Sequence, residues 1–203
     1  VSKSRDLRDK VRENRTGHVF LFVVDASGSM GAKKRMSIVK GVIFKMLLEA
    51  YQKRDRVGMI AFRKKKAEVL LPITRSVEFA QKKLADLPTG GKTPLASGLR
   101  KAEDVLDMLY RQEPTQEPVV ILITDGRATA GSNPDSDPVA DALREGARLR
   151  RINLPIAVID TESGYIRLGL AEKLANIMGA SYFHVDKLSE DSLLHIWRTT
   201  TED

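Results

Sequence analysis

The chain has 203 residues, 42% of them hydrophobic and 30% charged, the balance of a soluble globular protein long enough to bury a substantial core. It has no cysteine, which excludes disulfides and thiolate chemistry and fits a cytoplasmic protein. The net charge of +7 raises the question of nucleic acid, but aromatics are 5% of the chain and do not interleave with the cations, so an acidic protein segment is the better-matched partner.

Residues 1–17 are polar and mixed in charge, with Leu7 and Val11 as an isolated apolar pair, and read as a linker or short helix from a preceding region. They carry no apolar core of the kind a secretory signal needs, and the missing initiator Met is expected of a piece of a longer protein. The globular unit is expected to run over 18–203, without any apolar stretch long enough for a membrane span. The run Val19-Phe20-Leu21-Phe22-Val23-Val24 is apolar throughout, which predicts a strand buried on both faces. Met36, Val39, Ile43, Leu47 and Ala50 then recur at helical spacing. A second buried strand follows at 57–62. A tight basic turn leads to a short antiparallel edge strand, Ala67 to Pro72. Leu95, Leu99, Ala102, Leu106 and Leu109 mark the next helix, with Pro94 expected in its first turn. Strands at 119–123 and 156–159 flank a weaker helix over 139–151 that starts at Pro138. Leu170, Leu174 and Ile177 make a short helix, Tyr182 to Val185 a last strand, and Ser189 to Trp197 a closing helix with Ser189 as its cap.

Strands alternating with helices predict an α/β fold. It is a doubly wound, mostly parallel six-stranded sheet with one short antiparallel edge strand and helices on both faces. Such sheets bind ligands beyond the carboxyl ends of their strands, near the switch in strand order.

Chemistry-bearing residues collect at that place. Asp25-Ala-Ser27-Gly-Ser29 leaves the first strand, and Thr124-Asp125-Gly126 leaves the strand at 119–123. Gly90-Gly91-Lys92-Thr93-Pro94 lies between them in sequence. Two carboxylates, two serines and a threonine form an oxygen set without sulfur or imidazole, which suits Mg²⁺ or Mn²⁺ rather than zinc. Asp25, Ser27, Ser29, Thr93 and Asp125 are therefore the candidate metal residues. With neutral hydroxyls in contact and the carboxylates behind water, the ion would welcome a carboxylate from a partner. The bland alternative makes Asp25 and Asp125 turn formers and the serines a helix start.

Other patterns fall short of their chemistry. Gly91-Lys92-Thr93 imitates the end of a phosphate-binding loop, but Asp86 stands where that loop needs a glycine. Asp25-x-Ser27 lacks the second acid of a phosphoaspartate phosphatase, and Ser29 is not in a nucleophile elbow. His18, His184 and His195 read as structural, and Asp160 and Asp186 as strand-end caps. Arg63-Lys64-Lys65-Lys66 reads as a solvated hairpin tip, with a docking patch for acidic partners as the functional alternative.

Asp25-Ala-Ser-Gly-Ser-Met, Gly-Gly-Lys-Thr93-Pro-Leu and Ile-Thr-Asp125-Gly resemble the metal-ion-dependent adhesion site of the von Willebrand factor type A domain, over His18 to about Arg198. That resemblance implies ligation by Ser27, Ser29 and, in some states, Thr93, with Asp25 and Asp125 close by or acting through water. Phe22 to Met30, Tyr51 to Val57, Ala67 to Pro72, Leu87 to Ala96 and the mixed-charge stretch Arg5 to Arg15 are similar to the carboxyl-terminal part of magnesium and cobalt chelatase D subunits. The narrower resemblance implies a cytoplasmic interaction domain, not catalytic by itself. It would serve a complex that inserts Mg²⁺ or Co²⁺ into a tetrapyrrole with ATP. A chelatase ATPase or large subunit would be the partner that supplies a carboxylate to the metal. An interaction domain attached to another ATPase and an adhesion domain are the alternatives.

Overall fold

The computed structural model describes residues 17–28, 32–188 and Ile196. The expected lead-in, apart from Gly17, and the expected closing helix, apart from Ile196, lie outside them, as do Ser29 and Met30. In chain order the elements are β1 (Val19–Asp25), α1 (Ala32–Gln52), β2 (Arg56–Arg63), β3 (Lys66–Thr74), α2 (Val77–Ala85) and α3 (Leu95–Gln112). There follow β4 (Pro118–Thr124), α4 (Pro138–Arg150), β5 (Ile156–Asp160), α5 (Leu170–Met178), β6 (Ser181–His184) and a 3₁₀ turn at Val185–Lys187.

The six strands form one sheet in the order β3-β2-β1-β4-β5-β6. All pairs are parallel except β2 with β3, which is antiparallel at the edge. The β2–β3 ladder shifts register between Val57 and Ile60, opposite Val69 to Thr74, and Pro72 falls in that irregular stretch. A proline has no N–H to give a ladder, so an irregular edge is where it fits.

Successive residues of a strand face opposite ways, so a strand covered on both sides is apolar throughout. Along β1, Phe20, Phe22 and Val24 pack with Met36, Val39, Ile43 and Leu47 of α1 and with Ala80 and Leu84 of α2. Leu21 and Val23 pack on the other face with α3, α4 and α5, through residues such as Leu99, Leu106, Leu149 and Leu174. Ile196 is helical and wholly buried in the α1 layer.

Periodicity had not marked α2, which is nine residues long with two buried positions, Ala80 and Leu84. Its signal is the cap: the Ser76 hydroxyl accepts from the Phe79 N–H at 3.2 Å. Pro138 opens α4 as expected, behind an Asp137 carboxylate that accepts from the Val139 and Ala140 N–H groups. Pro94 differs from the expectation. It caps α3 instead of entering its first turn, and its carbonyl accepts the first helical bond, from the Gly98 N–H.

β1 has β2 on one side and β4 on the other, so the chain reverses its direction of winding between β1 and β4. The crevice of a doubly wound sheet opens at that switch, at the carboxyl ends. Asp25 ends β1 and Asp125 follows β4, one on each side of it.

Candidate metal centre

Asp25, Ser27 and Asp125 line one small cavity, together with Arg35, Met36, Val39 and Thr161. The Ser27 N–H donates to Asp25 Oδ1 at 2.9 Å, an Asx-type turn that folds the chain back as it leaves the strand. The Thr124 hydroxyl donates to Asp25 Oδ2 at 3.1 Å and accepts from the Gly126 N–H at 3.1 Å. One threonine thus links the two strand ends.

Asp125 is buried and held from several sides. Its Oδ1 accepts from the Arg127 N–H at 3.0 Å. Its Oδ2 accepts from Arg35 Nη1 at 2.5 Å, and the Arg127 Nε lies 3.9 Å from the same oxygen.

The loop carrying Thr93 is laced to β1. The Gly28 N–H donates to the Gly91 carbonyl, and the Gly90 N–H to the Ala26 carbonyl, at 3.1 and 2.9 Å. A side chain on Gly28 would place its Cβ 2.7 Å from Gly90 Cα, so this approach needs glycine. Gly91 has φ +86° and lies against Lys64, whose own N–H donates to the Lys92 carbonyl at 2.8 Å. The basic hairpin tip is therefore fastened to the same loop.

Of the five candidates, Asp25, Ser27 and Asp125 meet at the cavity. Thr93 is buried in the neighbouring loop and is not part of that lining. Its N–H donates to Thr129 Oγ1 at 2.8 Å, and its carbonyl accepts from the Thr129 and Ala130 N–H groups. Ser29 lies outside the described residues. Three participants had gone unread: Arg35, Thr124 and Thr161. Thr124 had a legible signal, since a hydroxyl precedes the strand-end carboxylate.

Burial first, and the like charge of Asp125 second, push the Asp25 carboxyl up from 3.8 to about 6. Hydrogen bonds from Ser27 and Thr124 oppose that rise. Among the described residues no group of three or more His, Cys, Asp and Glu gathers as a metal cluster. The donors here are two carboxylates with the hydroxyls of Ser27, Thr124 and Thr161 nearby, all hard oxygens. They fit a hard divalent cation.

Asp160 does not line the cavity. Its oxygens accept from the Glu162 N–H at 2.7 Å and the Tyr182 hydroxyl at 2.6 Å, which makes it the strand-end cap that was expected. His184 Nε2 donates to the Glu162 carbonyl at 2.8 Å, a structural contact.

Residues 20–127, more than half of the chain, match the von Willebrand factor type A domain family. The chain belongs to that family. This von Willebrand factor A domain is 42% identical, over 95% of its length, to an uncharacterized protein of Mycobacterium tuberculosis, and covers 30% of that protein. It is 41% identical over 84% of its length to an uncharacterized protein of Methanocaldococcus jannaschii and covers 97% of it. It is 38% identical over 95% of its length to the magnesium-chelatase 67 kDa subunit of Heliobacterium mobile, again covering 30%. The domain thus spans about a third of the mycobacterial and chelatase relatives and nearly all of the archaeal one. Its fold also matches the crystal structure of an aerotolerance-related membrane protein from Bacteroides fragilis, with a TM-score of 0.71 over 92% of this chain and 100% of that one, at 19% identity. Among the described residues no helix is long and apolar enough to cross a membrane.

Proposed function

We propose that this domain binds Mg²⁺, with Mn²⁺ as an alternative, through Asp25, Ser27, Ser29, Thr93 and Asp125, and uses the ion to capture a carboxylate of a protein partner. The observation that carries this reading is the facing of Asp25 and Asp125 across one small cavity at the sheet's switch point. Burial and the nearby charge of Asp125 make Asp25 costly to ionise, a cost that a bound cation would offset. Asp25 and Asp125 each accept hydrogen bonds within their own strand-end turns, which leaves neutral hydroxyls as the freer contacts for an ion. An ion contacted mainly by neutral oxygens keeps a strong field for an acidic partner group.

The parent assembly in this reading is a chelatase of the magnesium or cobalt type, which inserts its metal into a tetrapyrrole with ATP. The domain holds an ATPase or large subunit in place and does no chemistry itself, working in the cytoplasm. The similarity to a magnesium-chelatase subunit along nearly the whole domain supports this. A second reading has its own support. The archaeal relative is almost wholly spanned by this domain, which favours a metal-dependent interaction module serving outside a chelatase, joined to another ATPase or used for adhesion.

The test is calorimetry of Mg²⁺ and Mn²⁺ binding to the wild type and to Asp25→Ala, with and without a purified chelatase ATPase subunit. Metal and partner binding that disappear together in the variant are the expected result. Metal binding with no partner effect leaves the site and removes the chelatase role. No metal binding in either condition rejects the metal site.

A further inference from the structure

Arg35 stands in the first turn of α1 behind Lys33 and Lys34, and that turn has no acidic residue. Three cations there oppose the helix macrodipole, whose amino end favours anions. Lys33 and Lys34 are exposed to water, which screens the conflict. Arg35 differs: its side chain is 18% exposed and turns onto the cavity that Asp25 and Asp125 share. Position and burial both cost energy, and the contact with Asp125 offsets them.

We propose that Arg35 is a built-in competitor for the cation: its guanidinium neutralises Asp125 in the metal-free domain and must release it for a divalent ion to bind at full affinity. The inference rests on the metal-site reading above. Asp125 Oδ1 already accepts a backbone N–H from Arg127. The other oxygen, Oδ2, is the one that Arg35 holds at 2.5 Å. Arg127 stands 3.9 Å from the same oxygen, so two carboxylates and two guanidinium groups already leave the site near neutral. A divalent ion added beside a retained Arg35 would make the site net positive and face a cation across one shared carboxylate. With a long side chain at the amino end of α1, Arg35 can swing to solvent when the ion enters. The device keeps the metal-free fold from carrying two bare facing carboxylates, and it sets how much free metal is needed to load the site.

The experiment is Mn²⁺ and Mg²⁺ calorimetry on wild type, Arg35→Gln and Arg35→Lys, with thermal unfolding of each in chelator. Arg35→Gln is expected to bind the ion about ten-fold more tightly, since a half-buried like charge is removed. It is also expected to unfold at a lower temperature than wild type in chelator. Arg35→Lys, which keeps the charge, should stay near the wild-type affinity. Unchanged or weaker metal binding in Arg35→Gln, with wild-type binding intact, overturns the inference and leaves the metal site standing. Absence of binding in all three proteins sinks the metal site and the inference with it. If Arg35→Gln does not fold, the wild type decides: the Arg35 Nε–H resonance should shift on titration with Mg²⁺, and an unmoved signal at saturation overturns the competitor role.

Discussion

The Thr124 hydroxyl donates to the Asp25 carboxylate at 3.1 Å, across the seam where β1 and β4 run side by side. It is a neutral donor, so it softens the burial of Asp25 without cancelling its charge. The carboxyl therefore remains well above its ordinary range, at about 6. An acid whose pKa is higher in the folded state holds its proton more tightly when folded. Its ionisation then weakens the fold, with no penalty below pH 4 and the full penalty above pH 6. Asp25→Asn is expected to stabilise the metal-free protein at pH 7.5 by about 1–3 kcal/mol. The gain should shrink to nothing near pH 4. Urea unfolding in chelator at the two pH values checks this. In the proposed function the same substitution should also abolish any stabilisation by Mg²⁺.

Gly28→Ala tests the lacing of β1 to the loop before α3. The added Cβ meets the Gly90 backbone at 2.7 Å, and no flexible side chain is there to yield. We expect a loss of about 1–3 kcal/mol and weakened metal binding, because the loop carrying Thr93 must move away. Gly41→Ala is the control. Gly41 is an exposed position inside α1 with nothing within 4 Å of a new Cβ, so it should gain up to about 1 kcal/mol and leave metal binding alone. Equal effects of the two substitutions in thermal unfolding would refute the close-approach argument.

The sheet was readable because its central strands are covered on both faces, which leaves unbroken apolar runs with polar residues at their ends. Asp25 and Asp125 were readable for the same reason: each is the first charge after such a run. α2 escaped because two buried positions in nine residues make no visible stripe. Arg35 escaped for a different cause. It sits one residue before the apolar stripe of α1, in a run of three cations that reads as a solvated helix start. Only the folding of α1 back over β1 brings its guanidinium to Asp125. Thr93 lies in the neighbouring loop, where it was expected. Its main-chain N–H and carbonyl also tie it to Thr129 and Ala130 of the loop that follows β4, an attachment that sequence spacing does not encode.

Asp141 gives a second pH dependence, of opposite sign. It is buried, and accepts from the Ser132 N–H at 2.7 Å, from the Ser136 hydroxyl at 2.6 Å and from Arg144. These donors, the Ser132 N–H foremost, hold its carboxyl far below 3.8. A depressed acid stabilises the fold above its unfolded pKa, and that stability drains away as the pH falls below 4 toward the folded value. Asp141→Asn should cost about 1–3 kcal/mol at pH 7. The deficit relative to wild type should narrow by pH 2.5. A deficit independent of pH in urea titrations would show that the contacts, and not the charge, carry the stability.

The basic hairpin tip supplies the last prediction. Lys64, Lys65 and Lys66 are exposed, and Lys64 is bonded through its backbone to the loop that bears Lys92 and Thr93. The tip stands at the carboxyl end of β2, which pairs in parallel with β1 so that Phe62 lies opposite Asp25. In the proposed function, cations on that rim would do two things for a partner that offers a carboxylate to the metal. They draw acidic segments in from a distance, and they favour further acids beside the one that meets the ion. Reversing Arg63, Lys64, Lys65 and Lys66 to Glu should weaken capture of an acidic partner subunit by ten-fold or more at low salt, with little difference left near 0.5 M, where the Debye length is only about 4 Å. Metal affinity of the isolated domain should fall little or rise, because four added carboxylates attract the ion. Reversal of the two cations on α2, Lys82 and Lys83, should leave partner capture unchanged. If both reversals weaken binding equally, net charge and not the position of the tip governs the encounter. If neither does, the tip serves only to keep the sheet edge from pairing.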